Sequence, residues 1–340
     1  MKIDLIILLI ILFLIYLSIN YVNKMTELFT QGDLLNTRKF PFRYFKDENN
    51  NVLPIVAVTA FFRSTEEKEL YYKYVNANIN IIGITAYKTF PKNIRDVSED
   101  KFHLTDKFNY TEEIKLWLVC MKDIELYNFN CNNIITDISE SDFYDIEDPL
   151  IIVEKKYDFI YICNKDSDTC PMNGWNAINR NYDLALKCFP IMINEYKMKG
   201  LCVGRIGCDL VQFGDNITVT DFLPYHELQQ KMRESKFLFL PNIYDASPRV
   251  IAECIIKDLP VLMNKSIICG FKYINNETGE FFIDENDIRN GLDNILINKS
   301  PRERWKKDYS IQKSSKKLRD FLYLYYPNIL ENVNSVSFII

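Results

Sequence analysis

The hydrophobic residues of this chain form two kinds of pattern that alternate along its length. Short continuous apolar runs have the length of buried strands, and between them apolar residues recur every three or four positions, as on one face of a helix. Strands that alternate with helices imply a parallel sheet with helical crossovers. An acidic stretch at 138–148 interrupts this rhythm, which then resumes. The pattern therefore predicts an α/β protein built from two Rossmann-like domains that face each other across a cleft.

The predicted elements divide the chain near residue 150. Those of the first domain, 51–150, are strands at 53–62, 79–87 and 132–138 and helices at 63–76 and 111–127. Those of the second domain, 151–300, are strands at 157–163, 200–206, 216–223, 236–241 and 279–283 and helices at 177–196, 225–235 and 284–296. A last helix at 302–326, within the segment 301–330, is predicted to pack back on the first domain.

The N-terminal segment has a different pattern. Residues 5–18, LIILLIILFLIYLS, continue into INYV and give about 18 largely apolar residues, close to the ~20 that span a bilayer. No small-residue cleavage site precedes Lys24. We therefore predict a transmembrane signal-anchor in residues 1–24, with residues 4–22 in the membrane, followed by a polar, irregular stem at 25–50. A helix buried in the folded domain is the alternative.

The distribution of charge indicates how the protein is oriented in the membrane, and it argues against nucleic acid as a partner. Lys24, Arg38, Lys39 and Arg43 follow the apolar run, whereas Lys2 precedes it. Positive-inside counting favours a single-pass membrane protein whose folded part faces the cytosol. The formal net charge of −5 and the lack of a basic stripe argue against nucleic acid as a partner.

The cysteines predict neither a metal site nor a disulfide framework. There are nine of them, an odd number, and no Cys-x-x-Cys pair occurs. Cys163, Cys202 and Cys254 lie in apolar runs and are interpreted as small buried hydrophobes. Free thiols favour a reducing, cytosol-facing environment.

One stretch, FLFLPNIYDASPRVIAECIIKDLPVLMN at 237–264, places two carboxylates at a predicted strand-to-helix turn. Asp245 lies in the loop and Glu253 lies in the helix. Ser247 is a good N-cap residue and Pro248 suits the first helical position, so we predict that the helix begins here.

The predicted helix has an apolar face and a polar face. Val250 and Ile251 lie on the apolar stripe, whereas Arg249 and Glu253 lie together on the opposite side. The helix follows the carboxyl end of a parallel strand, where open α/β sheets bind ligands, and its free N–H groups suit a diphosphate. Glu253 can accept hydrogen bonds from two vicinal hydroxyls, and Asp245 can reach a hydroxyl-rich group beyond the phosphates. A surface ion pair between Arg249 and Glu253 is the alternative.

Asp245 and Glu253 enclose seven residues. This spacing resembles the E-x7-E signature of the retaining glycosyltransferases of family 4 (group 1), in the GT-B superfamily, with Asp in place of the first Glu. The flanking segments are similar as well: NITVTDFLPYHELQQKMRESKFLFLP at 216–241, KDLPVLMN after the helix, and NNETGEFF at 275–282. The resemblance covers roughly 155–300. The first domain is similar to the family only in its alternation of strands and helices.

The resemblance implies a fold, an activity and roles for particular residues. It implies the GT-B fold and the hexosyltransferase-like transfer of a sugar from a nucleotide diphosphate sugar to a glycan, lipid or protein acceptor. The reaction would retain configuration and would need neither a metal nor another cofactor. Glu253 would bind the ribose, Asp245 the donor sugar, and the amides at Ser247 to Val250 the diphosphate. Arg180 and Lys165 would neutralise the leaving phosphates.

The chain departs from the family pattern in its glycines. The family's glycine-rich loop is ASPRV here, and the glycine of A-x-G-x-P is Asp258. These departures keep open a second interpretation, an inactive sugar-nucleotide-binding or lectin-like module.

Other candidates lie elsewhere in the chain. Arg63 and His103 are the acceptor-side candidates of the first domain, where they could face the cleft. A metal-dependent GT-A transferase that holds its ion through Asp166 and Asp168 is the remaining alternative. An NAD-binding enzyme and a Ser-His-Asp hydrolase are not supported, because neither G-x-G-x-x-G nor G-x-S-x-G occurs. The sequence does not identify the donor sugar, its base, the acceptor or the oligomeric state.

Overall fold

The computed structural model describes residues 13–14, 16–18, 31–91, 108–146, 148–208, 210–246 and 248–339. Within these residues the chain forms two domains, each built on a six-stranded sheet. The α/β architecture with two parallel-rich sheets confirms the fold class that the alternation of apolar runs and helical segments predicts.

The first sheet belongs to the N-terminal domain, and a strand from the end of the chain completes it. Its strands are β1 (Phe42–Asp47), β2 (Val52–Val58), β3 (Asn80–Ile84), β4 (Leu116–Leu118), β5 (Ile134–Thr136) and β12 (Val336–Phe338). Their order across the sheet is β12-β1-β2-β3-β4-β5. Strands β2 to β5 run parallel, whereas β1 is antiparallel to both of its neighbours.

The second sheet belongs to the C-terminal domain and is parallel throughout. Its strands are β6 (Tyr157–Ile162), β7 (Gly200–Val203), β8 (Ile217–Thr220), β9 (Ser235–Leu240), β10 (Val261–Asn264) and β11 (Gly279–Phe282). Their order is β11-β10-β9-β6-β7-β8. The central strands are continuous apolar runs because both faces of a parallel sheet are covered. The carboxyl ends of these strands lie at one edge, which is where such sheets bind ligands.

Helices cover both sheets. They are α1 (Thr65–Asn76), α2 (Tyr110–Glu113), α3 (Trp175–Asn179), α4 (Tyr182–Pro190), α5 (Tyr225–Arg233), α6 (Arg249–Ile255), α7 (Ile288–Asn294), α8 (Pro301–Asp308), α9 (Ile311–Tyr323) and α10 (Pro327–Leu330). Residues 31–35 are also helical. The hydroxyl of Ser64 caps α1 by accepting a hydrogen bond from the Glu67 N–H at 3.3 Å, as the capping-box spacing predicts.

The C-terminal segment returns to the N-terminal domain. The single helix predicted at 302–326 is wrong, because the chain turns at Ser310, which has a positive φ of 40°, and forms the two helices α8 and α9. Leu318 of α9 and Phe338 of β12 are buried against Phe45 of β1. The sequence patterns did not reveal strand β12.

The helix predicted at 111–127 is also wrong. This segment contains the end of α2, strand β4 and a 3₁₀ turn at Ile124–Tyr127. Trp117 and its neighbours Leu116 and Leu118 are all buried in the sheet. An apolar run that is buried on both faces has no two-residue alternation, so its period does not distinguish a strand from a helix.

The N-terminal segment differs in part from its prediction. Residues 42–47, which the prediction assigns to the irregular stem at 25–50, form strand β1, with Phe42 and Phe45 buried. Among the residues that the structure describes, no helix has the length and apolar character needed to cross a membrane. Most of the predicted membrane segment, 4–22, lies outside the described residues.

A buried ion pair joins the two domains. Lys272, in a 3₁₀ turn of the C-terminal domain, donates hydrogen bonds to Asp142 (2.9 Å) and Asp137 (2.8 Å) of the N-terminal domain. The side chains of Lys272 and Asp142 are 9% and 4% exposed, and the Tyr273 hydroxyl donates to the other oxygen of Asp142. Burial alone would lower the pKa of Lys272, but the charges of Asp142 and Asp137 outweigh it and raise that pKa. The acidic stretch at the predicted domain boundary thus supplies an interdomain contact.

Candidate functional site

The loop between β9 and α6 carries Asp245 into the cleft between the domains. The Cys120 thiol of the N-terminal domain donates a hydrogen bond to the Ala246 carbonyl at 3.1 Å. The Ile268 N–H donates to the Ile243 carbonyl at 3.0 Å from the neighbouring loop. Because these contacts hold the backbone on both sides of Asp245, its side chain has a fixed place at the cleft.

Asp245 forms an ion pair with Arg180, from which it is separated by 65 positions. Arg180 follows α3, and its Nη1 donates to Oδ2 of Asp245; Nδ2 of Asn242 donates to the same oxygen at 3.0 Å. The side chains of Arg180 and Asp245 are 29% and 12% exposed, so the pair is shielded but accessible from the cleft. The Tyr161 hydroxyl donates to the Arg180 carbonyl at 3.2 Å and so fixes its backbone. The structure therefore brings the two predicted catalytic residues into contact.

Glu253 lies in α6, but it is buried, although the sequence places it on the polar side opposite the apolar stripe. Glu253 is 9% exposed; the Tyr144 hydroxyl donates to its Oε1 (2.9 Å) and the Gln229 amide donates to its Oε2 (3.3 Å). Burial and the charge of Glu253 raise the pKa of Tyr144, which therefore remains a neutral hydrogen-bond donor. These contacts take the place of the surface ion pair with Arg249, whose side chain is exposed.

Helix α6 begins at Arg249, later than predicted. Pro248 occupies the N-cap position, and Ser247, the predicted cap, lies outside the described residues. Val250 is half-buried. Gly270, with a φ of +88°, packs against the start of the helix, where a Cβ atom would lie 2.7 Å from the Pro248 ring. A glycine is therefore required for this close approach. The predicted binding of the diphosphate by the amides of Ser247 to Val250 stays a prediction.

Lys165, Asp166 and Asp168 follow β6, but the two carboxylates have separate partners. Lys165 donates to Asp168 at 2.9 Å, and this hydrogen bond raises the pKa of Lys165. Asp166 instead accepts N–H groups from the first turn of α3, including that of Asn176 at 2.8 Å. Within the described residues, no group of three or more His, Cys, Asp or Glu side chains is arranged to hold a metal ion. Asp166 therefore acts as a helix cap and Asp168 as the partner of Lys165, and the metal-binding role of these two carboxylates stays a prediction.

One acceptor-side candidate is placed and the other is not. Arg63 forms an ion pair with Glu67 (Nη2 to Oε1, 3.1 Å), and its guanidinium lies 3.8 Å from the centroid of the Phe40 ring. The Phe40 and Tyr87 rings pack perpendicular to each other, with centroids 6.3 Å apart. Arg63 therefore lies one aromatic ring away from Tyr87, which lines the cleft. His103 lies outside the described residues.

A cavity of about 200 Å³ lies between the domains beside the Arg180–Asp245 pair. Its walls come from the loop after β3, from α3 and from the loop after β9. The lining residues are Ala86, Tyr87, Lys88, Trp175, Asn179, Arg180, Tyr244, Asp245 and Ala246. The sequence predicted Arg180 and Asp245 but missed the aromatic members, because they come from two loops and a helix whose proximity no local spacing records.

A disulfide between Cys170 and Cys208 was also missed. Its Cα atoms are 5.7 Å apart, and 38 positions separate the two cysteines in the chain. No spacing motif marks this pair, whereas the three cysteines in apolar runs are buried, as predicted. The bond joins the loop after β6, which carries Lys165, to the loop after β7.

Comparisons with known proteins identify the fold. No protein-family model matches this sequence, and no curated protein sequence matches it. The structure is similar to that of sucrose-phosphate synthase from Thermosynechococcus elongatus, with a TM-score of 0.53 and 12% identity over 81% of this chain and 74% of that chain. It is similar to the lipopolysaccharide outer core galactosyltransferase WaaB, with a TM-score of 0.53 and 10% identity over 92% of this chain and 82% of that chain.

A third similar structure is a mutant of S. aureus TarM in complex with Fondaparinux, alpha-GlcNAc-glycerol and UDP. The TM-score is 0.51, with 15% identity over 75% of this chain and 53% of that chain, so this chain spans about half the length of TarM. At such identities the likeness shows the fold alone. Two parallel-rich domains that face a cleft are the GT-B arrangement of these glycosyltransferases, and they contradict the GT-A alternative.

Proposed function

We propose that this protein is a GT-B glycosyltransferase that transfers a hexose from a nucleotide diphosphate sugar to an acceptor hydroxyl, with retention of configuration and without a metal ion or other cofactor. The observation that carries the proposal is the Arg180–Asp245 pair in the cavity between two domains whose sheets are mainly parallel. A cation and a carboxylate at the carboxyl ends of parallel strands suit a departing diphosphate and a sugar that gains positive charge.

The donor would lie along the C-terminal domain. Its ribose hydroxyls would bind the Glu253 carboxylate, whose oxygens keep lone pairs beyond those that its two neighbours use. Its diphosphate would lie at the start of α6, at the amides of Ser247 to Val250, and Lys165 would add positive charge. Its sugar would reach Asp245 at the charged edge of the cavity and would not fill the cavity itself.

The proposed reaction exchanges one C–O bond for another. The bond between the anomeric carbon and the phosphate oxygen breaks, and its electron pair leaves with the nucleotide diphosphate. The acceptor oxygen forms the new bond to the anomeric carbon, and its proton passes to an oxygen of the leaving phosphate. Arg180 and Lys165 would stabilise the negative charge that develops on the phosphates, and Asp245 would stabilise the positive charge on the sugar ring.

A donor screen tests the proposed function. The full-length protein in detergent is incubated with nucleotide sugars in the presence of EDTA, and the release of nucleotide diphosphate is measured. UDP-sugars are tested before other nucleotide sugars, because the TarM structure contains UDP. We expect at least one nucleotide sugar to bind and to be hydrolysed slowly. If no nucleotide sugar binds, the proposed function is wrong.

A second candidate function is an inactive module that binds a sugar nucleotide or a glycan. It is favoured by the fact that the key side chains already have partners within the chain. Arg180 is paired with Asp245, and Glu253 accepts hydrogen bonds from Tyr144 and Gln229. A stable protein that binds a nucleotide sugar but neither hydrolyses nor transfers it would support this candidate over the enzyme.

Replacing Glu253 by glutamine is expected to weaken nucleotide-sugar binding about tenfold or more. The charged acceptor of two ribose hydroxyls becomes a neutral amide, and hydrogen bonds to charged groups contribute about 1.5–3 kcal/mol. Calorimetric titration with the donor from the screen measures the change. Tyr144→Phe is the matched control, since it removes the hydroxyl that donates to Glu253 but leaves the carboxylate. Unchanged donor affinity in a Glu253→Gln protein of lowered melting temperature would show a purely structural role.

We further propose that residues 4–22 anchor the protein in a membrane with its catalytic part facing the cytosol. The support is the apolar run and the basic residues that follow it. The Cys170–Cys208 disulfide favours the opposite orientation, because disulfides persist in oxidising compartments. Protease protection of the full-length chain in sealed vesicles decides between the two.

A chain that begins at residue 25 is expected to leave the membrane fraction and to keep donor binding. The physical reason is that the run of about 18 apolar residues is removed while both described sheets are retained. Fractionation followed by donor titration measures both properties. The anchor would be contradicted if the same proportion of the shortened chain as of the full-length chain were recovered in the membrane fraction.

A further inference from the structure

The cavity beside the Arg180–Asp245 pair has exposed aromatic walls. Two of the three tryptophans in the chain are buried, at 0% and 1% exposed, whereas Trp175 is 55% exposed. Tyr87 and Tyr244 line the same cavity and are 44% and 42% exposed. Burying a large apolar side chain stabilises a fold, and these three side chains forgo part of that stabilisation. Their convergence on one cavity indicates a ligand with an apolar face.

The edge of the cavity is polar and charged. The Lys88 ammonium lies 4.6 Å from the centroid of the Tyr244 ring, and the Arg180–Asp245 pair lines the same space. A lipid tail would meet charges here, whereas a sugar ring presents one face of C–H groups and an edge of hydroxyls, which match aromatic walls with a polar edge. The volume of about 200 Å³ is smaller than the ~300 Å³ at which pockets for drug-sized ligands begin. The cavity therefore suits a single ring.

The backbone of Trp175 is held in place by its neighbours. Asp166 accepts hydrogen bonds from the N–H groups of the two residues that follow Trp175 and so fixes the first turn of α3. The Asn179 amide, 2% exposed, donates to the Trp175 carbonyl at 2.6 Å, and the Asn179 carbonyl accepts the Ile243 N–H at 3.2 Å. This last bond ties α3 to the loop that carries Tyr244. Walls that are fixed in advance lose little conformational entropy when a ligand binds.

We infer that this cavity is the acceptor subsite and that it takes one pyranose ring, packed against Trp175, with a hydroxyl directed to the Arg180–Asp245 pair. The inference rests on the proposed function. The ring is assigned to the acceptor because both domains form the walls, with Tyr87 supplied by the N-terminal domain. The groups proposed for the nucleotide all lie in the C-terminal domain. The acceptor is therefore a glycoside rather than a lipid phosphate or a simple alcohol.

Tryptophan fluorescence of the full-length protein in detergent tests the subsite without requiring turnover. Methyl glucoside, methyl galactoside and methyl N-acetylglucosaminide are titrated separately, and glycerol serves as the hydroxyl control without a ring. At least one glycoside should change the emission, because Trp175 is exposed whereas the other two tryptophans are buried. The response should vanish in Trp175→Phe. It should persist in Tyr325→Ala, which removes a 38%-exposed aromatic residue outside the cavity.

Kinetics with the donor from the screen give a second measurement. With the responsive glycoside as acceptor, Trp175→Ala should raise the acceptor KM about 10- to 100-fold, the range expected for the loss of a ring-stacking contact. The donor Kd of this variant should not change. Trp175→Phe keeps a flat apolar ring and should recover most of the acceptor affinity. A parallel loss of donor affinity in Trp175→Ala would overturn the inference, because the ring would then pack against the donor.

The outcomes separate the subsite from the proposed function. If the wild-type protein binds and hydrolyses a nucleotide sugar but its fluorescence responds to none of the glycosides, the subsite is wrong and the proposed function stands. If a glycoside changes the fluorescence but no nucleotide sugar binds, the proposed function is wrong and the cavity is a glycan-binding site. An unchanged acceptor KM in Trp175→Ala would also overturn the subsite.

Discussion

Asp245→Asn is expected to lower the rate of sugar transfer by one to three orders of magnitude, about 1.4–4 kcal/mol in activation free energy, while nucleotide affinity changes little. Asp245 faces the interdomain cavity, where its carboxylate is bonded to Arg180 and Asn242. A carboxylate beside the anomeric carbon interacts more strongly with the positively charged transition state than with the neutral sugar. An interaction made mainly in the transition state affects kcat and kcat/KM together.

Two further variants separate chemistry from loop structure. Asp245→Glu keeps the charge and introduces the residue of the family signature, so it should retain substantial activity. Asn242→Ala removes the hydrogen bond that Asn242 donates to the Asp245 carboxylate but leaves the charge of Asp245. This variant should lower kcat less than Asp245→Asn does. The comparison uses kcat per folded molecule, with the folded fraction taken from thermal melting. A wild-type kcat in Asp245→Asn would remove Asp245 from the mechanism and leave it the role of holding the loop.

The C-terminal domain was predicted more completely than the N-terminal domain, and the reason is physical. Strands β6 and β9 are long apolar runs between polar loops, so both their length and their composition identify them. Strand β4 has three residues within a longer apolar run, which fits a helix equally well. Strands β1 and β12 pair Phe45 with Phe338 across nearly the whole chain, and no local pattern records such a pairing.

The candidate site was predicted in its residues but not in its arrangement. The spacing of Asp245 and Glu253 is a local pattern, so the sequence alone could mark both as members of one strand-to-helix junction. The contact between Arg180 and Asp245 arises because β6 and β9 are neighbours in the sheet, although they are distant in the chain. Glu253 is buried because Tyr144 reaches it from the segment between the domains, so a helical wheel of α6 alone predicts the wrong exposure.

Removing the buried cation between the domains is expected to cost the most stability. Lys272→Met leaves Asp142 buried without its ammonium partner, and the loss of one member of a buried ion pair costs about 3–5 kcal/mol. Chemical denaturation at neutral pH measures the change in the free energy of unfolding. Lys316→Met is the matched control, because Lys316 pairs with Asp320 on an exposed helix face. A pair of that kind contributes about 0.3–0.5 kcal/mol.

The pH dependence and a double variant test the same pair independently. Adding Asp142→Asn to Lys272→Met should recover part of the lost stability, because no buried charge then lacks a partner.

The pKa of Lys272 is raised in the folded protein. The contribution of Lys272 to stability is therefore complete below about pH 10.4, the ordinary lysine value, and is lost only as pH rises through the higher folded-state pKa. The difference in the free energy of unfolding between the wild-type protein and Lys272→Met should therefore stay constant from about pH 6 to pH 9. A loss no larger than that of Lys316→Met would show that the domain contact does not depend on this pair.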